Sequence, residues 1–79
     1  MPLQQIVAEN LHALRLRQSL SQEALAKKCG ISVSYVSMLE RGERTPPLET
    51  LEALAKGLAV SPLVLLREPA PEKRQGRGR

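Results

Sequence analysis

The sequence predicts an all-α domain of five short helices, on three observations. Apolar residues recur at three- and four-residue spacing across residues 3–17 and 48–58, and nowhere do they alternate as a strand requires. Ser21, Ser32 and Ser61 each stand just before a helix-forming run, where a hydroxyl can satisfy an orphan backbone N–H. Gly30 and Gly42 fall where two of the runs must stop. With 79 residues, 42% of them apolar but with no Phe or Trp and one Tyr, the chain can bury one small aliphatic core, and a two-domain enzyme is excluded.

Leu3, Ile6, Val7, Leu11 and Leu14 form the buried stripe of a first helix over about residues 3–17, with Gln4, Gln5, Glu9 and His12 mainly on the other face. Ser21 caps a second helix, about Gln22 to Cys29, whose first turn sets Glu23 against the positive end of the helix dipole. Gly30 ends it, because glycine enters the left-handed conformation without steric cost. Only Ile31 separates that glycine from Ser32, so a third helix, about Val33 to Arg41, follows at once and crosses the second sharply, as in a helix-turn-helix. Thr45-Pro46-Pro47 is an extended linker. Leu48, Leu51, Leu54, Ala55 and Leu58 mark the inner stripe of a fourth helix, and Ser61-Pro62, a cap followed by a first-turn proline, opens a fifth that runs to about Leu66. Residues 1–66 thus form the domain. Residues 67–79, with two prolines, two glycines and one small apolar side chain, read as a disordered basic tail.

The net charge of +4 fits a nucleic-acid partner, but residues 1–66 carry seven basic and six acidic side chains, so most of the excess lies in the tail. That tail reads either as a soluble end or as a salt-sensitive contact to phosphate through Lys73, Arg74, Arg77 and Arg79. The single cysteine, Cys29, leaves no disulfide framework and reads as a small buried hydrophobe. His12 has no second histidine or cysteine with which to build a metal site. There is no Asp, no nucleophile paired with a base and no glycine-rich phosphate loop, so neither catalysis nor a cofactor nor a metal is expected. No apolar leader or membrane-length apolar span is present, and a cytoplasmic location is expected.

At about 100° per residue, Val36, Leu39 and the near side of Glu40 share the inner arc of the third helix. The outer arc holds Ser34, Ser37, Met38 and Arg41, with Val33 at its N-terminal edge and Tyr35 on the flank. So small and nearly uncharged a face can lie deep in a major groove, where serine meets any polar base edge and valine or methionine packs on a thymine methyl. Val33, Ser34, Ser37 and Met38 are the candidate base contacts.

The run Ser21-Gln22-Glu23-Ala24-Leu25-Ala26, then Gly30-Ile31-Ser32, Val36, Leu39-Glu40-Arg41-Gly42, Arg44, Pro46 and the Leu51-Leu54-Ala55 stripe, resembles the phage repressor/Cro-like (XRE) helix-turn-helix family over roughly residues 6–66. The resemblance implies a compact five-helix repressor-like domain that binds double-stranded DNA through its second and third helices. It implies phosphate contacts from Gln22, at the start of the second helix, and from Ser32, Tyr35, Arg41 and Arg44 around the third. The two arginines are open to a plainer reading, compensation of Glu40 and Glu43. The resemblance further implies an Arg15–Glu40 ion pair that joins the first helix to the third and orients it, a structural role and not a DNA contact.

Three departures from the family pattern carry expectations of their own. Ser19 and Ala59 stand where glycine is common, so each brings backbone strain or a different helix exit. Leu63-Val64-Leu65-Leu66 is apolar throughout, and one turn of helix cannot bury four consecutive side chains in its own core. Leu65 and Leu66 are therefore expected to close the core while Leu63 and Val64 form a homodimer contact, with Leu16 or the N-terminal residues alongside. The alternative is that they pack under the neck of the tail.

The expected function is sequence-specific transcriptional regulation, as a homodimer on a pseudo-palindromic operator, of the Cro, restriction-modification controller or antitoxin kind. The rival is a protein-interaction module on the same scaffold, with a toxin or RNA polymerase as partner, favoured by the lack of Asn or Gln on the reading face. No membrane partner is expected.

Overall fold

The computed structural model describes residues 2–68; the tail reading for 69–79 lies outside the described residues. Five helices run in order, α1 Leu3–Arg17, α2 Gln22–Cys29, α3 Val33–Glu40, α4 Leu48–Leu58 and α5 Pro62–Leu66, with no strand among the described residues. α1 packs on α3 and α5, α2 on α3 and α4, and α4 on α5. The core they enclose is aliphatic: Leu11, Leu25, Val36, Leu39, Leu54, Leu58 and Leu65 are fully buried.

The capping serines act as the sequence requires. Ser21 Oγ accepts from the Ala24 N–H at 2.9 Å, Ser32 Oγ from the Tyr35 N–H at 3.1 Å and Ser61 Oγ from the Leu63 N–H at 3.3 Å. Gly30 turns into the left-handed region at φ +72°, and the Ile31 N–H closes back on the Ala26 carbonyl at 3.0 Å. That closure fixes the angle at which α3 leaves α2. α3 ends one residue before its expected limit: Arg41 is its C-cap, and Gly42, at φ +74°, turns the chain so that the Glu43 N–H reaches the Met38 carbonyl at 2.9 Å.

Ser19 and Ala59 both keep the left-handed conformation, each at φ +58°. The helix exits are thus those a glycine would give, and the Cβ of each residue is accommodated there with strain. Leu3 and Leu48, expected within inner stripes, are exposed, Leu48 at 78% of its surface. Each opens its helix, and a helical side chain covers the surface N-terminal to its own Cα, so the first residue overshoots the core.

Three polar side chains of α1, or just after it, anchor distant segments. Gln4 Nε2 donates to the Gly42 carbonyl while its Oε1 accepts from Thr45 Oγ1, which pins the α3–α4 loop. Asn10 Nδ2 lies 2.9 Å from the Leu65 carbonyl and 2.7 Å from that of Arg67, holding the end of α5. Gln18 Nε2 donates to the Leu58 carbonyl at 2.8 Å and so ties the end of α1 to the end of α4. These bonds satisfy carbonyls that helix ends leave without partners.

Candidate nucleic-acid interface

α3 divides into two faces. Val36 and Leu39 are wholly inside. Val33 and Ser34 are exposed, and Ser37, Met38 and Tyr35 are half-buried, Tyr35 with its ring against the core. Val33 and Ser34 thus present a surface open to solvent, and Ser37 and Met38, partly covered, continue it. Ser32 caps the helix with its oxygen, which leaves the hydroxyl proton available to a phosphate.

Behind that surface one carboxylate gathers four donors. Arg15 Nε and Nη2 reach Glu40 Oε2 and Oε1 at 2.5 and 2.9 Å, a two-pronged pair between α1 and α3. His12 Nδ1 lies 3.0 Å from Oε1, and Gln22 Nε2 donates to the same oxygen at 3.1 Å. The Arg15 side chain is 10% exposed and that of Glu40 5%, and Arg15 Nη1 also donates to the Leu20 carbonyl at 2.8 Å, bracing the α1–α2 loop. Burial pushes the Glu40 carboxyl upward, but the bonds from Arg15, His12 and Gln22 and the Arg15 charge outweigh it, so Glu40 titrates below the usual carboxylate range. Donating to Glu40 raises the Arg15 guanidinium in turn, against the effect of its own burial.

This cluster gathers Arg15 and Glu40 and adds two residues that sequence had not joined to it. His12 is exposed, as read, and reaches Glu40 from the rim of the cluster. Gln22, read as a phosphate contact, spends one amide N–H on Glu40; its second N–H and its carbonyl oxygen are left over at the start of α2. The carboxylate thereby holds the first side chain of α2 in a set orientation.

Arg41 and Arg44 lie beyond α3, both exposed. Arg44 makes no ion pair among the described residues. Arg41 Nε and Nη2 donate to Glu43 at 2.9 and 3.0 Å, and Nη1 donates to Ser37 Oγ. Bonding to Glu43 raises the Arg41 guanidinium, and bonding to Arg41 lowers the Glu43 carboxyl.

On the α1–α5 side, Leu63 is 73% exposed, and Leu3 and Leu16 are exposed as well. Val64, expected to face outward beside Leu63, is half-buried against the core, as is Leu66, while Leu65 is fully buried. Cys29 is half-buried against the same core, and burial raises its thiol despite the nearby Lys28 charge. A Cβ on Gly57 would stand 2.6 Å from its sulfur, so the thiol fills the contact between α2 and α4. Among the described residues there is no group of His, Cys, Asp and Glu that could hold a metal, and no helix is long and apolar enough to cross a membrane.

A family model described as helix-turn-helix, HTH_3, matches residues 11–65. The chain is 40% identical over 76 residues to control protein C.SmaI of Serratia marcescens, covering 96% of this chain and 90% of that one. It superposes on the crystal structure of a hypothetical transcription factor, NHTF, from Neisseria with a TM-score of 0.83 at 35% identity, covering 86% of this chain and 78% of that one. It superposes also on the restriction-modification controller protein C.Esp1396I, solved as a tetramer in complex with its natural 35-base-pair operator, with a TM-score of 0.76 at 34% identity, covering 82% and 86%. With α3, its cap and its turn in place and this match across most of the chain, the protein belongs to the helix-turn-helix family of phage repressor/Cro-like (XRE) type.

Proposed function

We propose that the protein is a sequence-specific regulator of transcription that binds duplex DNA as a homodimer and acts in the cytoplasm by binding, with no catalytic step. The observation that carries this reading is the open outer surface of α3, small, nearly uncharged and backed by a buried scaffold that holds it rigidly. C.Esp1396I, similar over most of its length, binds its operator as an assembly, which supports the same use of the fold here.

Val33, Ser34, Ser37 and Met38 enter the major groove, the serines toward polar base edges and Val33 and Met38 toward thymine methyls. Gln22, Ser32, Tyr35 and Arg44 flank them as phosphate contacts, Gln22 with the leftover half of its amide and the free N–H groups of the α2 N-terminus. Arg41 adds its charge at the same groove. So few phosphate contacts bind weakly alone, and a second subunit supplies the rest. The exposed Leu63, beside half-buried Val64, provides the apolar surface for that subunit, and the two reading helices then face half-sites about 34 Å apart.

A footprint on the DNA upstream of the protein's own coding sequence tests the reading. A specific complex that is abolished by Ser34→Glu and by Met38→Glu is expected; equal affinity for all sequences contradicts it. Sedimentation tests the dimer: Leu63→Glu is expected to shift the mass to that of a monomer, and a wild-type chain already monomeric at high concentration removes that part.

A further inference from the structure

The surroundings of Arg41 deepen the reading of α3 as a DNA-reading helix and rest on it. Arg41 directly follows α3, and at about 100° per residue it falls between Ser34 and Ser37 on the outward arc. Its side chain doubles back: Nη1 donates to Ser37 Oγ, one turn nearer the N-terminus, so the guanidinium lies over the reading surface instead of beyond the helix end. On another edge, Nε and Nη2 donate to the two carboxylate oxygens of Glu43.

A guanidinium carries five N–H donors in a rigid plane. Glu43 occupies the Nε and one Nη2 hydrogen, and Ser37 takes one of the two on Nη1. One hydrogen on each terminal nitrogen is left over; with Ser37 on the Nη1 hydrogen nearer the side-chain stem, those two point in parallel and match the O6 and N7 acceptors that guanine presents in the major groove. We propose that Arg41 is a base-reading residue that selects a guanine in each half-site, and that Glu43 is its positioning residue, fixing the guanidinium plane through the opposite edge.

In the free protein this pair is open to water, the Arg41 side chain 55% and the Glu43 side chain 53% exposed, so it does little for the fold. On the duplex the same bonds act where water is displaced and are worth more. Holding the arginine beforehand lowers the entropy lost on docking. The Glu43 charge also tempers the attraction of Arg41 for phosphate, which every sequence offers alike, so that the contact discriminates.

The test is selection of duplexes from a random-sequence pool by the full chain, followed by affinities for the enriched duplex and its single-position variants. The wild type is expected to enrich a half-site with one guanine whose replacement by another base, or by 7-deazaguanine, weakens binding about tenfold or more. Arg41→Lys keeps the charge and loses the fork; it is expected to level the four bases at that position and leave preferences elsewhere intact. Glu43→Gln is expected to lower the guanine preference at the same position. If the carboxylate only masks the arginine, that variant instead binds all duplexes more tightly with the preference intact, which overturns the part given to Glu43. A guanine preference that survives Arg41→Lys overturns the proposal but leaves α3 a reading helix. A pool in which the wild type enriches nothing overturns that reading as well.

Discussion

Glu40 and Arg41 are neighbours in sequence, each half of an arginine–glutamate pair, and the two pairs have opposite uses. Arg15–Glu40 is buried between α1 and α3, with a third and fourth donor on the same carboxylate. Arg41–Glu43 is exposed on the outer side of α3. In the first pair neither charge has water to fall back on, so each depends on the other and the pair sets where α3 sits. In the second, water replaces either partner at small cost, and the groups are available to a ligand. One residue of displacement along a helix moves an ion pair from the scaffold to the working surface.

The contrast is broken most severely at the inner pair. Arg15→Ala or Glu40→Gln leaves a buried charge or donor set uncompensated and is expected to destabilise the fold by about 3–5 kcal/mol in urea unfolding. A loss as small as that of a surface substitution would show that the pair is not a scaffold. Acid sharpens the same point. Because the folded Glu40 carboxyl titrates below its unfolded value, its contribution is complete above about pH 4.3 and is lost as the pH falls through the lower folded value. Stability is therefore expected to drop across that acid window in wild type and to change less there in Glu40→Gln.

Asn10→Ala comes next, with an expected loss of about 1–2 kcal/mol, since the carbonyls at the end of α5 lose their donor. The proposed dimer should weaken with it in sedimentation, because α5 carries Leu63. Ser19→Gly and Ala59→Gly act the other way and are each expected to stabilise by about 0.5–1 kcal/mol, relief of the left-handed strain exceeding the added entropy of the unfolded chain. At the far end, Arg41→Ala and Glu43→Ala are expected to leave the urea midpoint where the wild type has it while altering affinity for DNA.

The helices were legible because their signals are local. Serine caps, the left-handed glycine and the apolar spacing placed α1, α2 and α5 at their observed limits; at Ser19 and Ala59 the family pattern left strain or a different exit open, and the structure has the left-handed exit. What escaped is what depends on partners distant in sequence. Gln4, Asn10 and Gln18 are polar, and polarity alone assigns such residues to solvent, yet each holds a carbonyl on a segment far along the chain. Asn10 did carry a signal: at helical spacing it falls amid Ile6, Val7 and Leu14, where a polar side chain needs a buried partner. For His12 and Gln22 no such signal existed, since their common acceptor, Glu40, lies on another helix. The candidate base contacts were readable as a face of α3, and Glu43 as a charge compensating the arginines, which it does for Arg41; the fold-back of Arg41 onto Ser37 was not readable.

The outward face of α3 is most directly tested by backbone amide NMR shifts as the selected duplex is added to the full chain. The largest changes are expected at Val33–Met38 and in the first turn of α2, with the amides around Leu63 little moved. Changes centred on α5 or on the exposed side of α4, with Val33–Met38 unmoved, would contradict it.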